Sequence, residues 1–408
     1  MDIAILTNEY PPNVYGGAGV HVEYLTRALK NISNGDHRLQ VLAFGDQQID
    51  EGSLSVRGFT PAVIPPFQDS RHRKLMETLQ TNLFMNGSLP KADILHCHTW
   101  YSHLAGLLLK NLLEAPLVLS THSLEPHRPW KAEQLGSAYR VSSWIEKTAY
   151  QNADGVIAVS EAMKKDVQEL YGVREERIRV IHNGIDLQQY RKQLNPAILQ
   201  KHGIDSVKPF VLFVGRITRQ KGIIHLVNAI HYLEPEVQVV LCAGAPDTPE
   251  IGREMENAVA EARRRNPNPI VWIPKVLPKE EVIALYSHAA LFVCPSVYEP
   301  FGIINLEAMA CETPVVGTAV GGIPEIIVPG ETGTLVPLKA VSVNNPEPAD
   351  PQEFSRKLAS AINELMANSE KRREMGIKAR RRVEEKFSWD SIAKRTLQFY
   401  QEVVENKN

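Results

Sequence analysis

Short apolar, β-branched runs alternate along the chain with longer stretches in which apolar positions return every three or four residues. The short runs predict strands over residues 3–6, 39–43, 94–96, 117–120, 155–159 and 178–181. A second series is expected over 210–214, 237–243, 270–273, 291–294, 314–318 and 333–336. The longer stretches predict helices between them, for example over 20–30, 103–113, 161–170, 279–287 and 303–310. Apolar strands that alternate with helices belong in parallel sheets covered on both faces. A polar stretch, 186–208, divides the two series directly after the turn signal Asn183-Gly184. Two α/β domains are therefore expected, over 1–185 and 186–387, with a helix in the last segment, 388–408. Residues 339–351, rich in Pro and Asn, are expected as a surface loop. Ligands of open α/β sheets bind beyond the carboxyl ends of the strands. Two such sheets facing each other would enclose a deep cleft, and functional residues should follow strands.

Composition narrows the class. A chain of 408 residues exceeds what one ordinary core supports, which agrees with two domains. Apolar residues at 43% and charged residues at 23% describe a soluble globular protein. A net charge of -2 argues against a nucleic-acid partner. The start, MDIAILTNEY, lacks the basic and long apolar parts of a signal peptide, and no apolar run approaches the ~20 residues of a membrane span. Cys97, Cys242, Cys294 and Cys311 are scattered without metal-ligand spacing, so a reducing cytoplasm and buried free thiols are expected.

Three motifs follow strands. The first, YPPNVYGGAGVHVEYL, places Gly16, Gly17 and Gly19 at the opening of a helix. Glycine lets the backbone approach a ligand, and a helix N-terminus offers free amides to an anion. The spacing is not that of a dinucleotide fingerprint, and a tight strand-to-helix turn is the plain alternative. The second, FVGRITRQKGI, carries Arg216 and Lys221 on one short loop. Two cations there are a natural clamp for a diphosphate; otherwise they are solvated surface charges. The third, CPSVYEPFGIINLEAMACETPVVGTAVGGIPEII, sets Glu299 and Glu307 eight positions apart. Glu299 falls in the loop beside the amides of Gly302 and Ile303, and Glu307 one turn into the following helix. Glu307 suits ribose hydroxyls and Glu299 sugar hydroxyls. Two glutamates that merely favour the helix dipole are the alternative.

His122 follows the strand 117–120 and can donate a hydrogen bond to a phosphate or sugar hydroxyl, although lone histidines are more often structural. His96 and His98 share a strand face, so with a third histidine they could hold a metal; no carboxylate supports this, and no metal is assigned. The cationic runs 263–265 and 378–382 read as solvated helix faces.

Together, the E-P-F-G-x-x-x-L-E glutamate pair, the G-R-x-x-x-x-K-G loop and the early glycine loop resemble family four of the retaining glycosyltransferases. The segments TNEYPPNVYGGAGVHVEYLTRAL and THSLEPHRPWKAEQLGSAYRVSSWIEKTA look like short bacterial glycogen synthases and the related enzymes that make maltose 1-phosphate. The resemblance implies the GT-B fold: two Rossmann-like domains, the first on the acceptor side, the second binding the nucleotide sugar, and a terminal helix crossing back onto the first. It implies an ADP-glucose donor used as substrate, a glucan or glucose 1-phosphate acceptor, an α-1,4 product, and neither metal nor cofactor. It implies that Arg216 and Lys221 bind the diphosphate, that Glu307 binds the ribose, and that Glu299 contacts the 3- and 4-hydroxyls of the transferred glucose. Phe301, Gly302 and Ile303 would contact phosphate and sugar, Gly16 and Gly17 would line the diphosphate, and His122 would lie beside the reacting sugar. Many glycogen synthases carry Lys-x-Gly-Gly-Leu in the first loop; here Val14-Tyr15-Gly16-Gly17-Ala18 has no lysine, which leaves more of the phosphate charge to Arg216 and Lys221.

The rival expectations are a family member using a UDP- or GDP-sugar on a lipid or capsular acceptor, and a non-catalytic nucleotide-sugar sensor. A nicotinamide oxidoreductase is the remote third.

Overall fold

The computed structural model describes residues 1–14, 16–64, 67, 69–128, 131–342 and 345–407. The chain divides into two units, Met1–Gly184 with Trp389–Asn408, and Ile185–Ser388. Tyr15 of the glycine loop, and Pro129 and Trp130 of the histidine motif, lie outside the described residues.

The strands of the first unit are β1 (Asp2–Thr7), β2 (Arg38–Phe44), β3 (Gln48–Asp50), β4 (Leu54–Phe59), β5 (Ile94–His98), β6 (Leu117–Thr121), β7 (Gly155–Ala158) and β8 (Ile178–Val180). They form one sheet in the order β3-β4-β2-β1-β5-β6-β7-β8. The register is parallel except where β3 runs against β4. The central strands are apolar on both faces, and helices bury both. Helix Gly17–Ser33 puts Val22, Leu25 and Leu29 on Ile3, Ile5, Leu39 and Val41. The terminal helix Trp389–Glu405 adds Ile392, Phe399, Tyr400 and Val403 to that same core. Tyr24 stacks on Trp389, with centroids 5.9 Å apart.

In the second unit β9 (Phe210–Arg216), β10 (Gln238–Gly244), β11 (Ile270–Ile273), β12 (Leu291–Cys294), β13 (Val315–Thr318) and β14 (Gly333–Val336) form a sheet ordered β11-β10-β9-β12-β13-β14. Val211, Phe213, Val239, Leu241, Leu291, Val293 and Val316 supply its core, closed by Leu358, Ile362 and Leu365 of helix Pro351–Met366.

Both sheets are wound outward in both directions from a central strand. The direction reverses between β1 and β5 in one and between β9 and β12 in the other. Loops at a reversal point part in opposite directions and leave a crevice at the carboxyl edge. The motifs Gly215–Gly222 and Pro295–Gly302 follow the two strands flanking the second reversal.

Three expectations are corrected. The segment 339–351 is not only loop: β15 (Ala340–Ser342) and β16 (Asn345–Pro348) pair as an antiparallel hairpin. The short helix Pro196–Lys201 lies inside the polar stretch, started by Pro at its first turn. The run 378–382 is not merely a solvated face. Arg380 donates to the carbonyls of Tyr190 (2.7 Å) and Ala310 (2.8 Å), and Arg382 to those of Ile326 and Glu325 (both 2.7 Å). Arg381 alone of these three points outward, toward Glu385. All four cysteines are buried and unpaired. No helix among the described residues is long and apolar enough to cross a membrane.

Candidate active site

In the second unit the loops after β9 and β12 are laced together. The Val297 amide donates to the Gln220 carbonyl (3.0 Å). Gly222, at φ +59°, brings the helix Ile223–Ala229 so close that a Cβ would sit 2.1 Å from the Pro295 carbonyl oxygen. This sets the Lys221 ammonium 2.7 Å from Glu299 Oε2, and Ser296 Oγ donates to the same oxygen at 3.1 Å. Glu299 is only 6% exposed, so its charge depends on these partners. Burial works against the Lys221 charge, but the adjoining Glu299 carboxylate outweighs it and holds the ammonium above its usual range. Arg216, more exposed, pairs with Asp247 at 2.8 Å. The two cations read as a diphosphate clamp or as solvated charges thus each have a carboxylate partner.

The Glu299 backbone is fixed from a third loop, after β13. Its carbonyl accepts from the Gly322 amide at 3.0 Å, and Gly321 beside it has φ +53°. Gly302, at φ +105°, then starts helix Ile303–Ala310, whose final carbonyl is the one that Arg380 caps. Glu307 in that helix is held at both oxygens: Tyr286 and Tyr190 hydroxyls each donate at 3.0 Å. Burial raises its carboxyl above the usual range, and the two tyrosine hydroxyls oppose this. Phe301, expected against the donor, has its ring in the core, 2% exposed and 5.9 Å from Phe387, so only its backbone can meet a ligand. Asn305, one turn along, is fully buried, and neither atom of its amide finds a partner among the described residues.

In the first unit the carboxyl edge gathers histidines. His98 Nδ1 lies 2.8 Å from His122 Nε2, and His21 Nδ1 lies 2.6 Å from Asn183 Oδ1. Burial pushes the His21 imidazole down to about 4, and holds His98 and His122 well below their usual range, so all three are neutral at neutral pH. Their ligand atoms lie within 4.8 Å of one another, a spacing that could hold a metal ion. His96, considered in that role from the sequence, instead bonds Tyr400 (2.5 Å) and Ser120 (2.8 Å). Gly16 caps helix Gly17–Ser33, and its amide donates to Glu9 Oε2 at 2.9 Å. Thr99, after β5, has φ +66°, and its hydroxyl donates to Asn8 Oδ1 at 2.7 Å. A β-branched residue there is strained, and such strain concentrates at working sites.

The loop that follows His122 rests on two buried carboxyls. The Glu125 amide donates to Glu146 Oε1 (2.8 Å), to which the Tyr171 hydroxyl also donates, and Ser142 Oγ donates to Glu125 Oε2 (2.9 Å). Burial and the neighbouring Glu125 charge raise the Glu146 carboxyl to about 8 from an unfolded value of 4.5. A raised carboxyl keeps its proton in the fold after the unfolded chain has lost it. Its contribution to stability is therefore full below pH 4.5 and is lost as pH rises through about 8. The melting temperature should fall across that window, and Glu146→Gln should flatten the fall. Parallel pH profiles for the two proteins would place the ionisation elsewhere.

Asp247, Ser296, Tyr190, Tyr286, His21 and Thr99 were not singled out from the sequence. Ser296 and His21 lie inside motifs that were. Asp247 stands just beyond a strand end, while the tyrosines come from distant helices and turns and carry no local signal.

The described geometry has relatives. Residues 15–189 match the family model Glycosyltransferase Family 4, and residues 195–382 match Glycosyl transferases group 1. The chain is 44% identical over 407 residues to an alpha-maltose-1-phosphate synthase of Mycolicibacterium smegmatis, covering 99% of this chain and 100% of that protein. It is 26% identical over 424 residues to a glycogen synthase of Mycobacterium tuberculosis, covering 98% and 94%. Among solved structures, sucrose-phosphate synthase from Thermosynechococcus elongatus superimposes with a TM-score of 0.78 at 24% identity, covering 99% of each chain. That likeness establishes the GT-B fold.

Proposed function

The chain belongs to the family-four glycosyltransferases, and from that premise we propose that it transfers an α-glucosyl group from ADP-glucose, with retention, to the 4-hydroxyl of glucose 1-phosphate, giving maltose 1-phosphate. The observation that carries this reading is the 44% identity to an alpha-maltose-1-phosphate synthase along 99% of the chain.

Arg216 and Lys221 take the donor diphosphate, exchanging their carboxylate partners for phosphate oxygens. The bond from the glucose C1 to the β-phosphate oxygen breaks and ADP leaves. A bond from the acceptor O4 to C1 forms on the same face, and the acceptor proton passes to the leaving phosphate. Cations already held in place stabilise the charge that develops on the leaving group, which is the largest single aid a site can give. Glu299, held at its carboxylate by Ser296 and at its carbonyl by the Gly322 amide, orients the sugar hydroxyls. Glu307 keeps free lone pairs for the ribose beside its two tyrosine bonds. Amides at Gly302 and Ile303 serve phosphate and sugar, and Gly16 and Gly17 the diphosphate. His122, neutral and held by His98, donates to a sugar hydroxyl. No metal or cofactor takes part, and buried unpaired thiols suit a reducing cytoplasm.

A panel of ADP-, UDP- and GDP-sugars, run with glucose 1-phosphate or glycogen in buffer containing EDTA, tests this. Nucleotide release from ADP-glucose and a product with the mass of maltose 1-phosphate are expected. Turnover of GDP-mannose alone would sink the donor assignment. Elongated glycogen without maltose 1-phosphate would sink the acceptor assignment. Activity abolished by EDTA and restored by Zn²⁺ would move the three histidines into a metal site.

A further inference from the structure

The loop after His122 ends in a cation that the reaction above does not use. Leu124 to Arg128 fold into a tight turn in which the Arg128 amide donates to the Glu125 carbonyl at 2.9 Å. The turn carries the Arg128 guanidinium back over the end of β6, where Nη1 donates to Ser123 Oγ at 3.2 Å. Ser123 is the residue next to His122. The approach of the guanidinium to Glu125 is 3.9 Å, too long for a hydrogen bond, and the Glu125 carboxylate already accepts from Ser142. Arg128 Nε is buried and has no partner among the described residues.

A buried guanidinium N–H without a partner is costly, and the planar fork of Arg matches two oxygens of one phosphate. Only part of the fork is engaged, at a carboxyl edge where ligands of this fold bind. The donor's diphosphate has its own cations, Arg216 and Lys221, in the other unit. An acceptor that reacts at O4 carries its C1 phosphate at the opposite side of the sugar ring. That phosphate must be met away from the reacting carbon.

We infer that Arg128 is the acceptor-phosphate contact, and that it selects a sugar phosphate over an uncharged glucan end. The inference rests on the reading of glucose 1-phosphate as acceptor.

The test compares the full-length protein with its Arg128→Gln and Arg128→Lys variants. Initial rates are measured at saturating ADP-glucose, with glucose 1-phosphate and with maltotetraose. Losing a charge-assisted contact should lower the preference for glucose 1-phosphate over maltotetraose, as the ratio of kcat/KM values, by about 10- to 100-fold in the glutamine variant. The lysine variant, which keeps the charge without the fork, should fall between. An unchanged ratio, or an equal loss on both acceptors, would overturn the inference and leave Arg128 a structural residue of its turn. Calorimetric titration of inorganic phosphate, with ADP saturating the donor site, separates the two layers. Phosphate binding that is lost in Arg128→Gln supports the contact even if wild-type protein makes no maltose 1-phosphate, in which case the acceptor reading alone fails. Equal binding in wild type and variant, or none in wild type, overturns it. If the glutamine variant does not fold, the lysine variant carries both measurements.

Discussion

Replacing Lys221 by alanine is expected to lower kcat at least ~100-fold, the scale on which sites lose rate when one fixed donor to developing charge is removed. The same change should cost stability. Glu299 is buried, and Lys221 is the cation that its carboxylate meets, at 2.7 Å. Breaking a buried pair from one side costs about 3–5 kcal/mol, because the other charge is left uncompensated. The melting temperature should therefore drop along with the rate, and single-turnover ADP release must be measured well below it. Near-normal turnover in the folded variant would show that the diphosphate binds elsewhere. A Lys221→Ala, Glu299→Gln double variant should recover much of the stability and none of the rate.

Gly321→Ala should be nearly as damaging although its side chain adds one carbon. A Cβ at Gly321 would stand 1.8 Å from the Glu299 carbonyl oxygen, closer than any real contact, and that atom belongs to backbone rather than to a side chain that can swing away. Glu299 must move, and the 3.0 Å bond from the Gly322 amide to its carbonyl goes with it. Displacing a positioned group by about 1 Å can cost ~100-fold in rate. Gly330→Ala is the matched comparison. Gly330 also has positive φ, +80°, but a Cβ there meets nothing within 4 Å. Both variants bear the ~1–2 kcal/mol of a left-handed alanine, and only Gly321→Ala should lose kcat as well. Equal kcat in the two would show that this loop does not position Glu299.

The parts of the fold that were legible in the sequence were those where burial is two-sided. Central strands such as β9, β10 and β12 are continuous apolar runs, and a run of that kind has few other uses in a soluble chain. β4 and β3 were not foreseen. β4 (LSVRGF) alternates apolar with polar positions and carries an exposed Arg57, while β3 is three residues long. In the site, residues on the loops at the second reversal point were legible because each motif is contiguous and follows a strand. Their partners were not. Tyr190 and Tyr286 reach Glu307 from 117 and 21 positions away, and Asp247 reaches Arg216 from 31. Nothing local marks such residues, since a tyrosine in a helix is usually packing. Phe301 is a mixed case: its place inside a recognisable motif suggested a ligand contact, and its ring, 2% exposed, serves the core.

The terminal helix Trp389–Glu405 belongs to the core of the first unit, with Trp389 against His21 at 5.3 Å between centroids and against Gly184 closely enough to exclude a Cβ. The first unit is therefore assembled from two stretches separated in sequence, while the second is one uninterrupted stretch. During synthesis the order of completion is reversed relative to the order of emergence. Residues 1–184 leave the ribosome before the second unit but lack part of their apolar cover until the helix Trp389–Glu405 is made. The intervening unit has by then emerged whole and can fold alone. The helix thus completes a core begun much earlier in the chain: His21 reaches its final packing only when Trp389 has been made.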